Sequence, residues 1–323
     1  MEFTPMRVDE LVSTIIPVYN RPRLLQEAVA SVLAQDYRPI EVLIVNDGST
    51  DETGQVAEAL AARHPVAIRV LHVANGGPGV AREAGRLAAR GEFVQYLDSD
   101  DLLLPGKFTA QVSGLRAQPE CGVAYGKTGH GQDIARAWKR TGERIAAMWP
   151  SFLQERWWDT STPLYRRDVA DAAGPWEALR HEEDWVYDCR AGALGTRLCY
   201  VDQFVSLTGY TAPDRLSGNT AAPRYWRDRA VAHRLIWQCV QSVGPDFAQP
   251  ELRHFARALF LLARQCGAAG QTMDAQALFQ IARAASPPPR RDGLDFRLYR
   301  VLAGLVGWKL AGRIAGAVDG LRR

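Results

Sequence analysis

The sequence predicts a mostly parallel, doubly wound α/β sheet followed by an α-helical C-terminal region. Three observations predict it. Strand-like apolar runs alternate with helically spaced apolar residues from Leu11 to Leu97, a pattern that builds parallel sheets. Each of these runs ends in polar residues, at Tyr19-Asn20, Asn46-Asp47, Asn75 and Asp98 to Asp101. From Arg224 onward no strand signal persists, and apolar residues recur only at helical spacing.

Leu11 to Val18, LVSTIIPV, reads as a buried strand rich in β-branched residues and closed by Pro17. After the turn Tyr19-Asn20-Arg21-Pro22, the apolar residues Leu24, Leu25, Ala28, Val29, Val32 and Leu33 mark a helix. Ile40 to Val45 is a second strand that runs into Asn46-Asp47-Gly48-Ser49-Thr50-Asp51, where Ser49 or Thr50 can cap a helix over about 52–63. Ile68 to Val73 is a third strand, followed by the glycine-rich turn Asn75 to Gly79 and a helix over about 80–89. Phe93 to Asp101, FVQYLDSDD, closes the series: an apolar run that ends in the carboxylates Asp98, Asp100 and Asp101. In extended backbone Asp98 and Asp100 would project to one side. Two like charges that close repel unless a cation sits between them. A hard divalent ion that also grips a diphosphate suits such a pair. Turn and capping roles are the plain alternative for Asp and Ser. Open α/β sheets bind ligands at the carboxyl ends of their strands. The convergence of four polar strand ends there favours a crevice over a random turn.

Composition narrows the class. The 323 residues exceed one typical domain, and 47% apolar content supports an ordinary core. A net charge of +3 gives no case for nucleic acid, but it is uneven. Residues 290–323 carry eight Lys and Arg against three Asp, a surplus of five that leaves the rest at −2. The five cysteines show no CxxC pair and no metal-type spacing. With no apolar leader and no long uncharged run, the expectation is a cytoplasmic protein, with a peripheral place at the inner membrane face as a variant. A dinucleotide fold is disfavoured, because Gly76-Gly77-Pro78-Gly79 is not GxGxxG and no phosphate-loop lysine motif occurs.

PVYN at 17–20, NDGSTD at 46–51, Ala81-Arg82 and LDSDD at 97–101 resemble, in order and interval, the family 2 inverting glycosyltransferases. The resemblance covers roughly the first two hundred residues. It implies a GT-A fold, a nucleotide-sugar donor (uridine being the common base) and a Mn2+ or Mg2+ ion. It assigns Pro17, Val18, Tyr19, Asn20 and Asp47 to the nucleoside, with Arg82 facing the diphosphate or the crevice acids. Asp98 falls at the ribose or the metal, Ser99 at the nucleotide-sugar and Asp100 at the metal, with Asp101 read as structural. Glu83 departs from the family, where Asn is common at that position. Leu164 to Arg167 resembles the strand before the catalytic helix, and Glu183-Asp184-Trp185 resembles its acidic motif. That makes Asp184 the general base, with Glu183 a helper or cap. An inverting transfer needs one such group to take the acceptor proton; a retaining one would need a nucleophile as well. The acidic first turn of a helix is the alternative reading.

Aromatics gather at Trp149, Phe152, Trp157, Trp158, Trp176, Trp185 and Tyr187, most of them expected in the core. Trp185 and Trp158 are acceptor candidates. Tyr210 to Asn219 has the composition of a lid, with Arg215 and Ser217 as candidates and no His to serve as the metal ligand many relatives place there. His181 and His233 are left unassigned.

The expected division is 1–222, a catalytic domain, and 223–323, a helical region for acceptor, oligomer or membrane contact. Helical spacing covers 224–243, 251–266 and 272–285, and Ser286-Pro287-Pro288-Pro289 is a break. In the basic tail, Gly312, Gly316 and Gly320 permit close helix contact. Two readings compete for it: a membrane surface bearing a lipid-linked acceptor, or packing on the rest of the protein or in a homo-oligomer, which the scattered charges favour. The leading function is sugar transfer to a glycan or lipid-linked acceptor in surface polysaccharide synthesis. Transfer onto a peptide or protein, or sugar-nucleotide binding without catalysis, are the rivals.

Overall fold

The structure, a computed structural model, describes residues 6–131, 134–209 and 223–321, with side chains to 319. The described chain forms two compact units. The first holds 6–148, 156–179 and 194–209; the second holds 149–155, 180–193 and 223–321.

In the first unit the expected alternation appears as β1 (Val8–Val18), α1 (Pro22–Leu33), β2 (Ile40–Asp47), α2 (Thr53–Arg63), β3 (Ile68–Val73), α3 (Pro78–Ala88) and β4 (Gly91–Tyr96). It continues as β5 (Leu102–Leu103), α4 (Lys107–Ala117), β6 (Cys121–His130), β7 (Leu164–Arg166), α5 (Arg167–Ala172) and β8 (Arg197–Thr208). The sheet order is β3-β2-β1-β4-β7-β6-β8-β5. β3, β2, β1 and β4 run parallel, while β7 is antiparallel to β4 and to β6, and β8 is parallel to β6. The sheet is therefore mixed, with its parallel half where the alternation was legible.

The central parallel strands β1, β2 and β4 are mostly buried and rich in apolar residues, whereas the edge strand β3 is mostly half-exposed. All eight residues of β2 are buried. Its one mid-strand charge, Glu41, is 1% exposed and accepts from Ser13 Oγ (2.6 Å) and from the Arg90 N–H (2.7 Å) and Nε (3.0 Å). A buried carboxylate persists only when satisfied in this way. Helix α1 lays Leu25, Ala28, Val29 and Val32 into the core, each with no exposed area. Burial of such a Leu or Val side chain contributes about 1.5–3 kcal/mol.

Two local expectations are corrected. Neither Ser49 nor Thr50 caps α2, whose N-cap is Glu52 without a side-chain cap bond; the Asp51 carboxylate just before it accepts the Thr53 N–H at 2.9 Å. The stretch from Asp98 to Asp100 does not continue as extended strand either. The strand stops at Tyr96, and the Asp101 N–H donates to the Asp98 carbonyl (3.0 Å), closing a turn around Ser99-Asp100.

The second unit contains a 3-10 turn at Ser151–Leu153 and helices α6 (Glu183–Ala193), α7 (Pro223–Val243), α8 (Pro250–Ala268), α9 (Thr272–Ala285), α10 (Pro288–Arg291) and α11 (Leu294–Leu321). The expected break is present: α9 ends at Ala285, and Pro288 opens the short α10. Gly307 interrupts α11 with φ +79° and ψ 157°. Gly312 lies so close to the backbone of Arg264 and Ala268 that a methyl group would not fit, whereas Gly316 faces open space. Pro288–Asp319 is long and apolar enough to cross a membrane by length and composition alone, a longer apolar stretch than its charge-free run suggested.

Candidate active site

The ends of β1, β2, β3 and β4 share one edge of the first unit, and their loops are tied to one another. Asn20, left-handed at φ +51°, receives the Thr50 N–H on Oδ1 (2.8 Å) and donates Nδ2 to Thr50 Oγ1 (3.1 Å). The Asn20 N–H in turn donates to Ser49 Oγ at 3.1 Å. Ser49 and Thr50 thus lock the first loop to the second, which explains why neither caps α2. Asp47 accepts the Gly76 N–H on one carboxylate oxygen (2.7 Å) and the Gly77 N–H on the other (2.9 Å). Gly77 adopts φ +95°, a conformation natural to glycine alone. Tyr19 is 43% exposed, while Pro17 and Val18 are buried in β1.

The acids of the Asp98–Asp101 turn have separate partners. Asp98 accepts from Arg82 Nη2 at 2.6 Å, and the Asp100 carboxylate pairs with Arg21 Nη1 at 2.9 Å. Arg82 is 3% exposed, and its guanidinium lies 4.8 Å over the Trp176 ring. Trp176 is held by its own N–H to the Glu83 carboxylate (3.1 Å), and Glu83 also pairs with Arg86 (2.7 Å). Glu83, the departure from the family pattern, therefore fastens the Trp176 loop to α3. Gly79, in the first turn of α3, would overlap the Glu177 carbonyl if it carried a Cβ.

Asp101 turns inward, where it accepts the Ser161 hydroxyl at 2.9 Å. Burial first, then the charges of Asp98, Asp100 and Asp159, push its carboxyl well above the usual range, against the hydrogen bond from Ser161. Ser99 beside it is buried too. Lys107 is fully buried and donates to the Thr162 carbonyl at 2.8 Å, a carbonyl shared with Gln111 Nε2 (3.0 Å). Burial pushes this ammonium well below its ordinary range.

In the second unit, Glu183 and Asp184 occupy the first turn of α6, where carboxylates complement the helix dipole. Asp184 is half-buried and Glu183 is 5% exposed. The helix start is pinned by Glu182, a left-handed residue at φ +63°. Arg229 Nε of α7 donates to one of its oxygens at 2.6 Å, and His233 Nδ1 lies 3.1 Å from the other. Burial raises the Glu182 carboxyl, but His233 and Arg229 outweigh it and the net direction is downward. Trp185 is half-buried and donates its indole N–H to the Phe152 carbonyl at 2.6 Å.

Trp158, in the first unit, has no exposed area and packs on Tyr125 at 5.3 Å, so it is core and presents no face to an acceptor. Phe152, Trp157, Trp176 and Tyr187 are buried as well. Arg215 and Ser217 lie outside the described residues. Among the described residues, no group of three or more His, Cys, Asp or Glu is gathered to hold a metal. Sequence reasoning missed Arg21, Glu182 and Arg229. For Arg21 a signal existed, a lone cation between Asn20 and Pro22 in a strand-end loop. The other two are joined only by the tertiary fold.

Residues 13–170, from β1 through most of α5, match the model of Glycosyl transferase family 2. The chain carries a family 2 glycosyltransferase domain. It is 33% identical over 181 residues to an uncharacterized glycosyltransferase of Nostoc sp., a match spanning 52% of this chain and 55% of that protein. The curated relatives are thus matched over about half of their length or less. S. aureus TarS 1-349, solved in complex with UDP-GlcNAc, superimposes with a TM-score of 0.72 at 19% identity, over 94% of this chain and 90% of that one. A mannosyltransferase of Pyrobaculum calidifontis, solved with GDP-Man and Mn2+, gives 0.57 at 18% identity over 95% and 87%. The glycosyltransferase domain of this chain therefore has the GT-A type of fold, with a helical C-terminal region.

Proposed function

We propose that the protein is an inverting glycosyltransferase that moves a sugar from a UDP-linked donor to an acceptor hydroxyl on a glycan or lipid-linked chain, in surface polysaccharide synthesis. The observation that carries this reading is the strand-end crevice itself, in which two carboxylates and two arginines are held ready by four tied loops. The complexes of TarS with UDP-GlcNAc and of the mannosyltransferase with GDP-Man support a sugar-nucleotide donor.

In this reading Asp47, Tyr19 and the β1 end hold the nucleoside, and Asp98 and Ser99 border the ribose. Arg82 and Arg21 can neutralise a diphosphate as readily as the carboxylates they now face, because guanidinium forks bind either anion. Asp98 and Asp100 offer hard oxygen donors, the set that suits Mn2+ or Mg2+ when phosphate oxygens and water supply the remaining positions. When bound, the ion would act as a Lewis acid on the departing diphosphate. Asp184 takes the proton of the acceptor hydroxyl as that oxygen attacks the anomeric carbon from the face opposite the nucleotide. Glu183 and Trp185 border the acceptor. Residues 1–222 make the catalytic part, and 223–323 serve contacts with acceptor, partner copy or membrane.

The test is donor binding and donor hydrolysis with Mn2+, for UDP-GlcNAc and a panel of other sugar nucleotides. Asp100→Ala should lose metal-dependent donor affinity, and Asp184→Asn should keep affinity but lose turnover. Full turnover in Asp184→Asn would remove it from the base role, and binding without turnover in the wild type would favour a non-catalytic protein.

A further inference from the structure

Helix α11 carries two opposed faces. Up to the break at Gly307, Phe296, Tyr299 and Ala303 are buried, with Phe296 and Tyr299 packed against Phe260 of α8 (4.6 and 5.5 Å between ring centroids). Leu294, Leu298, Val301 and Leu305 fall on the opposite side by helical spacing and are all exposed, Leu305 to 79%. Beyond the break the arrangement repeats. Ala311 and Gly312 are buried, Gly312 against the α8 backbone, while Leu310 and Ile314 face solvent. Single exposed apolar residues are ordinary, but a row along both halves of one helix is a patch with a purpose.

The charges beside this row are of one sign. Arg297, Arg300, Lys309 and Arg313 are exposed on α11. Its two acids already have other partners, Asp295 with Arg290 (3.3 Å) and Asp319 with Arg264 (3.0 Å). A second copy laid along the row would bring like charges together, whereas an acidic lipid surface would meet both the apolar row and its cations. The break at Gly307 divides α11 into stretches of 13 and 14 residues. Each is about 20 Å long, short of the ~30 Å hydrocarbon core, which suits a helix lying on a bilayer and not one crossing it. We propose that the outer face of α11 docks this protein on an anionic bilayer, with its apolar row in the headgroup boundary and its cations on acidic lipids. This docking does not depend on the transfer reaction.

The experiment is flotation of the full chain with vesicles of phosphatidylcholine alone or with phosphatidylglycerol, at low and high salt. Two double variants are compared with the wild type: Leu298→Glu with Leu305→Glu, and Arg297→Glu with Arg300→Glu. Circular dichroism confirms that each surface variant folds. The wild type should float with acidic vesicles and weaken in high salt. The leucine pair should abolish flotation, and the arginine pair should weaken it at least tenfold. No flotation, equal flotation on neutral vesicles, or flotation unaffected by the leucine pair would overturn the proposal. So would a dimer in sedimentation that disappears in the leucine pair while vesicles bind nothing, which would assign the face to a second copy.

Discussion

Arg82 is the residue whose removal tests the crevice most directly. Arg82→Ala deletes a 2.6 Å charge-assisted bond to Asp98, a guanidinium 4.8 Å over Trp176, and a buried stem. The hydrogen bond would be worth about 1.5–3 kcal/mol if fully buried. Because the Asp98 side chain is 32% exposed, about 1 kcal/mol is the fairer figure. The cation–π contact adds about 1–2 kcal/mol in a desolvated setting, and the lost methylenes about 2. Relief from burying a charge offsets part of this sum. The net expectation is a loss of about 2–3 kcal/mol, which lowers the melting temperature by roughly 5–10 °C. Arg82→Lys keeps the charge but not the flat fork and should lose about half as much. Thermal unfolding followed by near-UV circular dichroism measures both, since the Trp176 environment changes with the contact. A change under about 0.5 kcal/mol in Arg82→Ala would refute the reasoning, as would a Lys variant indistinguishable from wild type.

Three further outcomes are expected. Gly79→Ala should cost about 1–3 kcal/mol or more, because its methyl group meets the backbone carbonyl of Glu177 and not a side chain that can swing away; urea unfolding measures it. Lys107 has a native pKa below its unfolded value, so the unfolded state binds the extra proton and stability rises with pH between the two values. Lys107→Met should be at least as stable at neutral pH and lack that slope of ~1.4 kcal/mol per pH unit, and parallel pH profiles for the two proteins would contradict it. Glu182, held below its ordinary pKa by His233 and Arg229 against the burial that raises it, contributes stability at neutral pH that is lost as pH falls through its native value. Arg229→Ala should therefore destabilise the second unit by about 3 kcal/mol at pH 7, with a smaller difference in acid, read by hydrogen exchange in α6 and α7.

The parallel half of the sheet was legible because its central strands are buried on both faces and so read as mostly apolar runs, with the edge strand β3 keeping enough Ile, Val and Leu to follow them. Helix α4 and strand β8 were not legible, for specific reasons. The inward face of α4 includes Lys107 and Gln111, which serve a buried carbonyl, so its apolar period is broken. Strand β8 keeps polar Asp202 and Gln203 at half-exposed or exposed positions, which interrupts its run. The candidate site was legible as a list of side chains at strand ends. Its wiring was not, since the pairing of Asp98 with α3 and of Asp100 with the loop before α1 depends on which loops the sheet order makes neighbours. The turn at Ser99-Asp100 likewise follows from the bond between Asp101 and Asp98 and not from the strand-like run before it.

The two acid–arginine pairs also bear on how a donor would arrive. Asp98 with Arg82 and Asp100 with Arg21 sum to no net charge, so this set of side chains neither repels a diphosphate from a distance nor draws it in. These two pairs then add little long-range steering of their own to the encounter, beyond what the rest of the surface and a bound ion supply. Selection would fall instead at short range, where an arriving ligand must offer each arginine an anion, and each carboxylate a cation, as good as the partner it gives up.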